Sequence, residues 1–290
     1  MNPRLPNHRV FLVLLLALVI GAASLSAQSL TSKALNAPFE PREELLYQAE
    51  FSRSLLRKVD IADFRFTVNQ MAAPQSGDSG GSSDQNSDPR HLLLLTGDVS
   101  SKGLFTKLFN LNFHQWVEST VEPVSFTVQR TKRQDQQGKR LRTSEAVFDA
   151  TAGEVVWTEL DPNNPSRGPR VEKTRFTPPV QDILSAIYFL RLQPLAVGSS
   201  FTLPISDSGR LYQIPVKVVE KKRFKTLLGR VDAVRVDPQL FGPQGLLNVT
   251  GQVHIWITDD QRHLPVSAKI KSQYGTFDIT LKQIRNSRAE

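Results

Sequence analysis

The chain has no cysteine among its 290 residues. That excludes disulfides, cysteine-ligated zinc and a thiol to carry a bacterial lipoprotein lipid, so stability rests on the core. Histidine is scarce: His8, His91, His114, His254 and His263 are all there are, and no two stand at a zinc-like spacing. There is no Gly-x-Ser-x-Gly elbow for a serine nucleophile. Gly77, Gly80 and Gly81 lie in low-complexity sequence rather than between a strand and a helix, so no phosphate loop is formed. No repeat recurs at a fixed period. Beyond the N-terminal segment no apolar run approaches the roughly 20 residues of a membrane span.

The N-terminal segment reads as a secretory leader. Arg4 and Arg9 are its positive end, residues 10–20 are an unbroken apolar run of 11, and Gly21, Ala22, Ala23, Ser24, Ser26 and Ala27 supply small residues around a cut. Cleavage after Ser26 or after Ala27 both fit. The division expected is a signal peptide over 1–27 and one β-rich domain over 28–290, exported to the periplasm or the extracellular space. Formal charge is +8, and loss of the leader removes two arginines and no acid, leaving +6. That excess permits attraction to anionic lipid or polysaccharide. Nucleic acid is not an expected partner outside the cytoplasm. The charge gathers in residues 130–142 and at Lys221, Lys222, Arg223 and Lys225, where solvated turns are the simplest explanation.

Residues 72–90 are rich in Ser, Gly, Asp and Gln and almost free of apolar side chains. Such a segment buries too little surface to offset its ordering entropy, and it is expected to be a disordered loop inserted between two strands. Elsewhere apolar residues alternate with a period of two. Leu45, Tyr47, Ala49 and Phe51 share a face, as do Ala62, Phe64, Phe66 and Val68, and Ile214, Val216 and Val218. Residues 251–284 read as a three-strand meander, with Asp259 and Asp260 in one of its turns. Residues 91–97, 142–149 and 154–159 are further strands. One segment breaks the pattern. Ile183, Leu184, Ala186, Ile187, Phe189 and Leu190 are apolar nearly all round, which suits a buried helix capped by Thr177 or by Asp182 and stopped by Pro194 and Gly198. A weaker helix or turn is expected at 104–109.

Three stretches resemble the bacterial family catalogued as domain of unknown function 3108. They are residues 39–47 (Phe-Glu-Pro-Arg-Glu-Glu-Leu-Leu-Tyr), 182–191 (Asp-Ile-Leu-Ser-Ala-Ile-Tyr-Phe-Leu-Arg) and 255–266 (Ile-Trp-Ile-Thr-Asp-Asp-Gln-Arg-His-Leu-Pro-Val). Arg42-Glu43 departs from the family's pattern, where a glycine precedes the Glu. The resemblance implies an exported, β-rich envelope protein and no activity.

The fold expected is mainly β: a large curved antiparallel sheet, half-barrel or barrel-like, wrapped around one buried apolar helix. The function expected is non-catalytic, with no cofactor and no metal. Because a broad apolar sheet face is wider than one helix, a groove is expected beside the helix, lined by Ile187, Phe189, Leu190 and Trp256, for a lipid-like or polymeric envelope ligand. The alternative is a structural or assembly scaffold that pairs with another envelope protein. A hydrolase would need Asp259 and Asp260 to converge with His254 or His263. Trp116, Trp157 and Trp256 suit strand packing better than a sugar-stacking surface.

Overall fold

A computed structural model describes residues 39, 42–72, 91–103, 106, 112–243 and 245–286. Two antiparallel meanders account for nearly all of them. The first runs β1 (Glu43–Arg53), β2 (Leu56–Ala72), β3 (His91–Ser101), β4 (Phe113–Glu122), β5 (Thr127–Gln137), β6 (Arg140–Asp149), β7 (Glu154–Leu160) and β8 (Arg170–Arg175). The second runs β9 (Ser200–Asp207), β10 (Arg210–Thr226), β11 (Gly229–Pro238), β12 (Gly251–Thr258), β13 (Pro265–Ser272) and β14 (Gly275–Asn286). β14 pairs with β1, so the two join into one 14-stranded sheet whose edges are β8 and β9. The one helix among the described residues with a defined span, α1 (Ile183–Leu190), lies in the chain between those edges.

Alternation decides which way each side chain points. On β1 the residues from Glu43 to Phe51 alternate buried and half-buried, and β4 does the same from Phe113 to Val121. The buried set of every strand faces a common interior, and α1 occupies it. All residues of α1 except Phe189 are buried. A helix apolar on every side is stable only when enclosed in this way. Its close approach to β3 depends on Gly97, where an added Cβ would stand 3.2 Å from Leu184 Cδ1 and 3.3 Å from the Phe66 ring. Of the two expected helix starts, the second is the one formed. Asp182 accepts from the Ser185 amide at 2.7 Å, and Ser185 Oγ accepts from the Asp182 amide at 3.0 Å, a reciprocal cap.

The sheet does not close through a ladder. Its edges are instead joined by the strap 176–182 and by side chains. The Gln181 amide donates to Pro204 O at 3.0 Å on β9, and the Ser206 amide returns a bond to Gln181 O at 2.8 Å. Val180 O accepts from the Val128 amide of β5. Thr174 Oγ1 on β8 donates to Gly209 O at 2.7 Å, and Gly209 (φ +74°) comes so near β8 that a Cβ there would lie 2.4 Å from Glu172 Cβ. The result is a barrel-like roll with a stitched seam.

The expected leader (1–27), most of the 72–90 loop and most of the 104–109 helix lie outside the described residues. Ala72 and His91 are register partners, so 73–90 connects two adjacent strands. The expected curved, barrel-like antiparallel sheet around one buried apolar helix is the fold observed, with 14 strands.

Candidate functional site

Enclosure of the helix decides where a site can be. Ile187 and Leu190 are buried in the core and are not part of the wall of the seam cavity. Phe189 differs. It lines a cavity of about 580 Å³ at the seam, together with Phe176, Leu203 and Leu211 and the ring faces of Pro178, Pro179 and Pro204. Gln181 also lines it. Its Nε2 donates to Phe126 O at 2.6 Å, while its Oε1 is buried with no partner among the described residues. Arg175, Thr177, Gln193, Thr202 and Gln213 line it as well, so the cavity joins an apolar wall to a polar one. Trp256 is elsewhere: alternation turns it away from Ile255 and Ile257 to the outer surface of β12, where it packs on Phe224 with ring centroids 5.0 Å apart. The four residues expected to line one groove thus do not meet, because the helix is inside the roll and Trp256 is outside it.

Two buried polar anchors hold α1 at this depth. At its N-terminus the Asp182 carboxylate accepts from Ser119 Oγ on β4 at 2.5 Å and from Thr131 Oγ1 on β5. Past its C-terminus, Arg191 is 1% exposed. Its guanidinium pairs with Glu43 on β1 at 2.5 and 3.0 Å, and Nε donates to Arg262 O at 3.1 Å. The Phe39 and Tyr188 rings flank it, 5.3 and 5.9 Å from Cζ. His263 Nδ1–H donates to Arg191 O at 2.8 Å. Burial raises the Tyr188 phenol well above its ordinary pKa, and its hydroxyl has no partner among the described residues. Burial likewise raises Tyr47, whose hydroxyl donates to Pro265 O at 2.8 Å.

The hydrolase set does not assemble. Asp259 pairs with Lys221 on the surface. Asp260 accepts from Thr258 Oγ1 at 2.7 Å and from the Arg262 amide at 3.1 Å, as a turn residue does. His254 Nδ1 lies 2.8 Å from Asp237, and His263 is turned toward Arg191. No group of three or more His, Asp or Glu able to hold a metal occurs among the described residues. No helix among them is long and apolar enough to cross a membrane. A concavity of about 960 Å³ lies on the outer face of β1 to β4 and β14 and includes Trp116. Its charges are largely spent on one another, as in Lys102–Asp63 at 2.8 Å and Arg65–Glu44 at 3.5 Å.

Comparison with known families adds one decisive match. The model of the family described as "Protein of unknown function (DUF3108)" matches residues 81–282. The chain belongs to this family. The DUF3108 match begins after the first of the three resembling stretches and takes in the other two. All three nevertheless meet at one residue, Arg191 of the second: Phe39 and Glu43 from the first and Arg262 O from the third meet its guanidinium, and His263 from the third bonds its carbonyl. Among solved structures, the DUF3108 chain is similar to a beta-barrel-like protein of domain of unknown function DUF1849 from Brucella abortus. The TM-score is 0.53 at 7% identity, over 86% of this chain and 99% of that one. A protein from Parabacteroides distasonis described as a candidate lipoprotein gives a TM-score of 0.30 at 7% identity, over 85% of this chain and 96% of that one. No curated protein matches this DUF3108 chain.

Proposed function

We propose that this DUF3108 protein is an exported, non-catalytic envelope protein that binds a lipid-like ligand at the seam beside α1. The observation that carries the reading is the seam cavity: about 580 Å³, with Phe176, Phe189, Leu203 and Leu211 as an apolar wall and Thr177, Gln193, Thr202 and Gln213 as a polar one. That volume falls within the roughly 300–1,000 Å³ of small-molecule sites, and an apolar wall beside polar groups suits an amphipathic ligand. An acyl chain would lie along the aromatic and proline surfaces, and its polar head would meet Gln193, Thr202 or Gln213. Export is carried by the leader-like residues 1–27, and the mature charge of +6 favours an anionic envelope surface.

The scaffold alternative would use a sheet edge or an outer face. β8 has no ladder partner on its far side, yet Arg170, Glu172, Lys173 and Arg175 stud it with charge. Charged edges discourage strand addition. Ligand binding therefore stands ahead of it.

A thermal-shift series with fatty acids, lysophospholipids, glycans and divalent metals tests the reading. Fatty acid or lysophospholipid should raise Tm saturably, and Phe189→Asp, at a half-buried position, should abolish the shift. A response to glycans alone, or an acyl shift indifferent to Phe189→Asp, overturns it.

A further inference from the structure

The basic run at 130–142 is not one surface patch. The pleat of β5 and β6 divides it. Arg130 and Lys132 point outward, toward Glu145 and, at 3.8 Å, Glu118. Arg133, Arg140 and Arg142 point inward and line an interior cavity of about 240 Å³, which Arg170 of β8 and Arg210 of β10 complete. The β5–β6 and β9–β10 hairpins frame it, and it is separate from the seam cavity beside Phe189.

Five guanidiniums face three carboxylates, Asp135, Glu159 and Asp207, on the cavity wall. The remaining countercharges, Asp161 on Arg142 at 2.6 Å and Glu172 on Arg170 at 2.9 Å, do not line it. Donors are in greater excess than charge. Each guanidinium offers five N–H groups. Arg133 gives one of them to Asp207 at 2.6 Å, and its Nε is buried with no partner among the described residues. Arg140 reaches Gln137 at 3.3 Å and Asp135 only at 3.6 Å. Trp157 and Tyr212 supply flat walls, with Arg170 5.4 Å over the indole.

A compact cavity with surplus forked donors takes a small oxyanion with several acceptor oxygens, since planar guanidiniums match phosphate geometry bidentately. The volume is too small for a polymer or a long acyl chain. We infer that this cavity binds a phosphate group, as a free phosphate or phosphate ester or as the phosphate of a lipid head.

Calorimetric titration of the full chain with inorganic pyrophosphate, and co-sedimentation with phosphatidylglycerol against phosphatidylcholine vesicles, test the inference and separate the two sources. Arg140→Gln combined with Arg210→Gln should weaken binding at least tenfold. Arg170→Gln, which leaves Asp135 and Asp207 paired, should weaken it several-fold and serves if the double variant fails to fold. Lys221→Gln with Lys222→Gln, both exposed on β10 and absent from the cavity wall, should change little. Arginine-dependent binding of pyrophosphate supports a soluble phosphate ligand. Arginine-dependent binding to phosphatidylglycerol vesicles alone supports a lipid head. No binding in either arm, or binding lowered equally by the lysine and arginine variants, overturns the inference.

Discussion

Removing the Glu43 carboxylate tests how α1 is held inside the roll. Glu43 and Arg191 are 5% and 1% exposed and share two hydrogen bonds. Deleting one member of a buried pair generally costs about 3–5 kcal/mol, because the other charge is left uncompensated. In Glu43→Gln the guanidinium keeps its bond to Arg262 O and its two flanking rings. Each ring contact is worth about 0.5–2 kcal/mol. The loss should therefore fall near the low end, about 3 kcal/mol. Arg191→Met leaves a buried carboxylate with no such support and should cost about 4–5 kcal/mol. In the double variant neither charge remains, so its loss should fall below the sum of the singles by at least about 2 kcal/mol. Urea unfolding followed by tryptophan fluorescence gives each value, provided the m-values agree. Additive losses in the double variant, or singles within about 1 kcal/mol of wild type, would refute the lock.

Tyr188→Phe should be neutral or stabilising by up to about 1 kcal/mol, since it removes a buried hydroxyl without a partner among the described residues. A loss beyond that figure would reveal a bond to this hydroxyl. At Asp260 burial alone would raise the carboxyl, but the bonds from Thr258 and Arg262 and the charge of Arg262 outweigh it and hold the pKa below its ordinary value. The carboxylate therefore adds stability that is fully present above the unfolded pKa, about 3.9, and lost as pH falls through the lower folded value. Urea midpoints should thus separate wild type from Asp260→Asn at pH 5 and converge in acid, whereas a gap independent of pH contradicts this. Protein recovered from an exporting host should begin at Ala27 or Gln28 by mass spectrometry, and a membrane-bound form that keeps Met1 argues against cleavage.

The sequence spoke most clearly where the interior is apolar. Tyr47, Phe64, Ile255 and Phe277 sit on faces that alternate cleanly, and their strands were legible for that reason. β5 was not. Its inward residues are Thr131, Arg133, Asp135 and Gln137, polar because they meet the Asp182 cap and the arginine cavity rather than the core. β4 hid in a milder way, with Gln115 and Ser119 interrupting its inward stripe of Phe113, Val117 and Val121. The helix and its Asp182 cap could be read from composition and spacing. Its burial within a curved sheet was legible too; the strand order was not, because the pairing of β1 with β14 joins residues more than 200 positions apart. The sequence pointed to Ile187, Phe189 and Leu190 together as groove residues, and of the three Phe189 lines the seam cavity.

Native mass spectrometry of the protein, expressed with its leader and recovered from the envelope fraction, tests the ligand claim most directly. The account predicts a lipid-sized adduct on the wild-type chain that is released on activation and is missing from folded Phe189→Asp. A bare wild-type chain that also takes up no added lysophospholipid, or an adduct retained by Phe189→Asp, would contradict it.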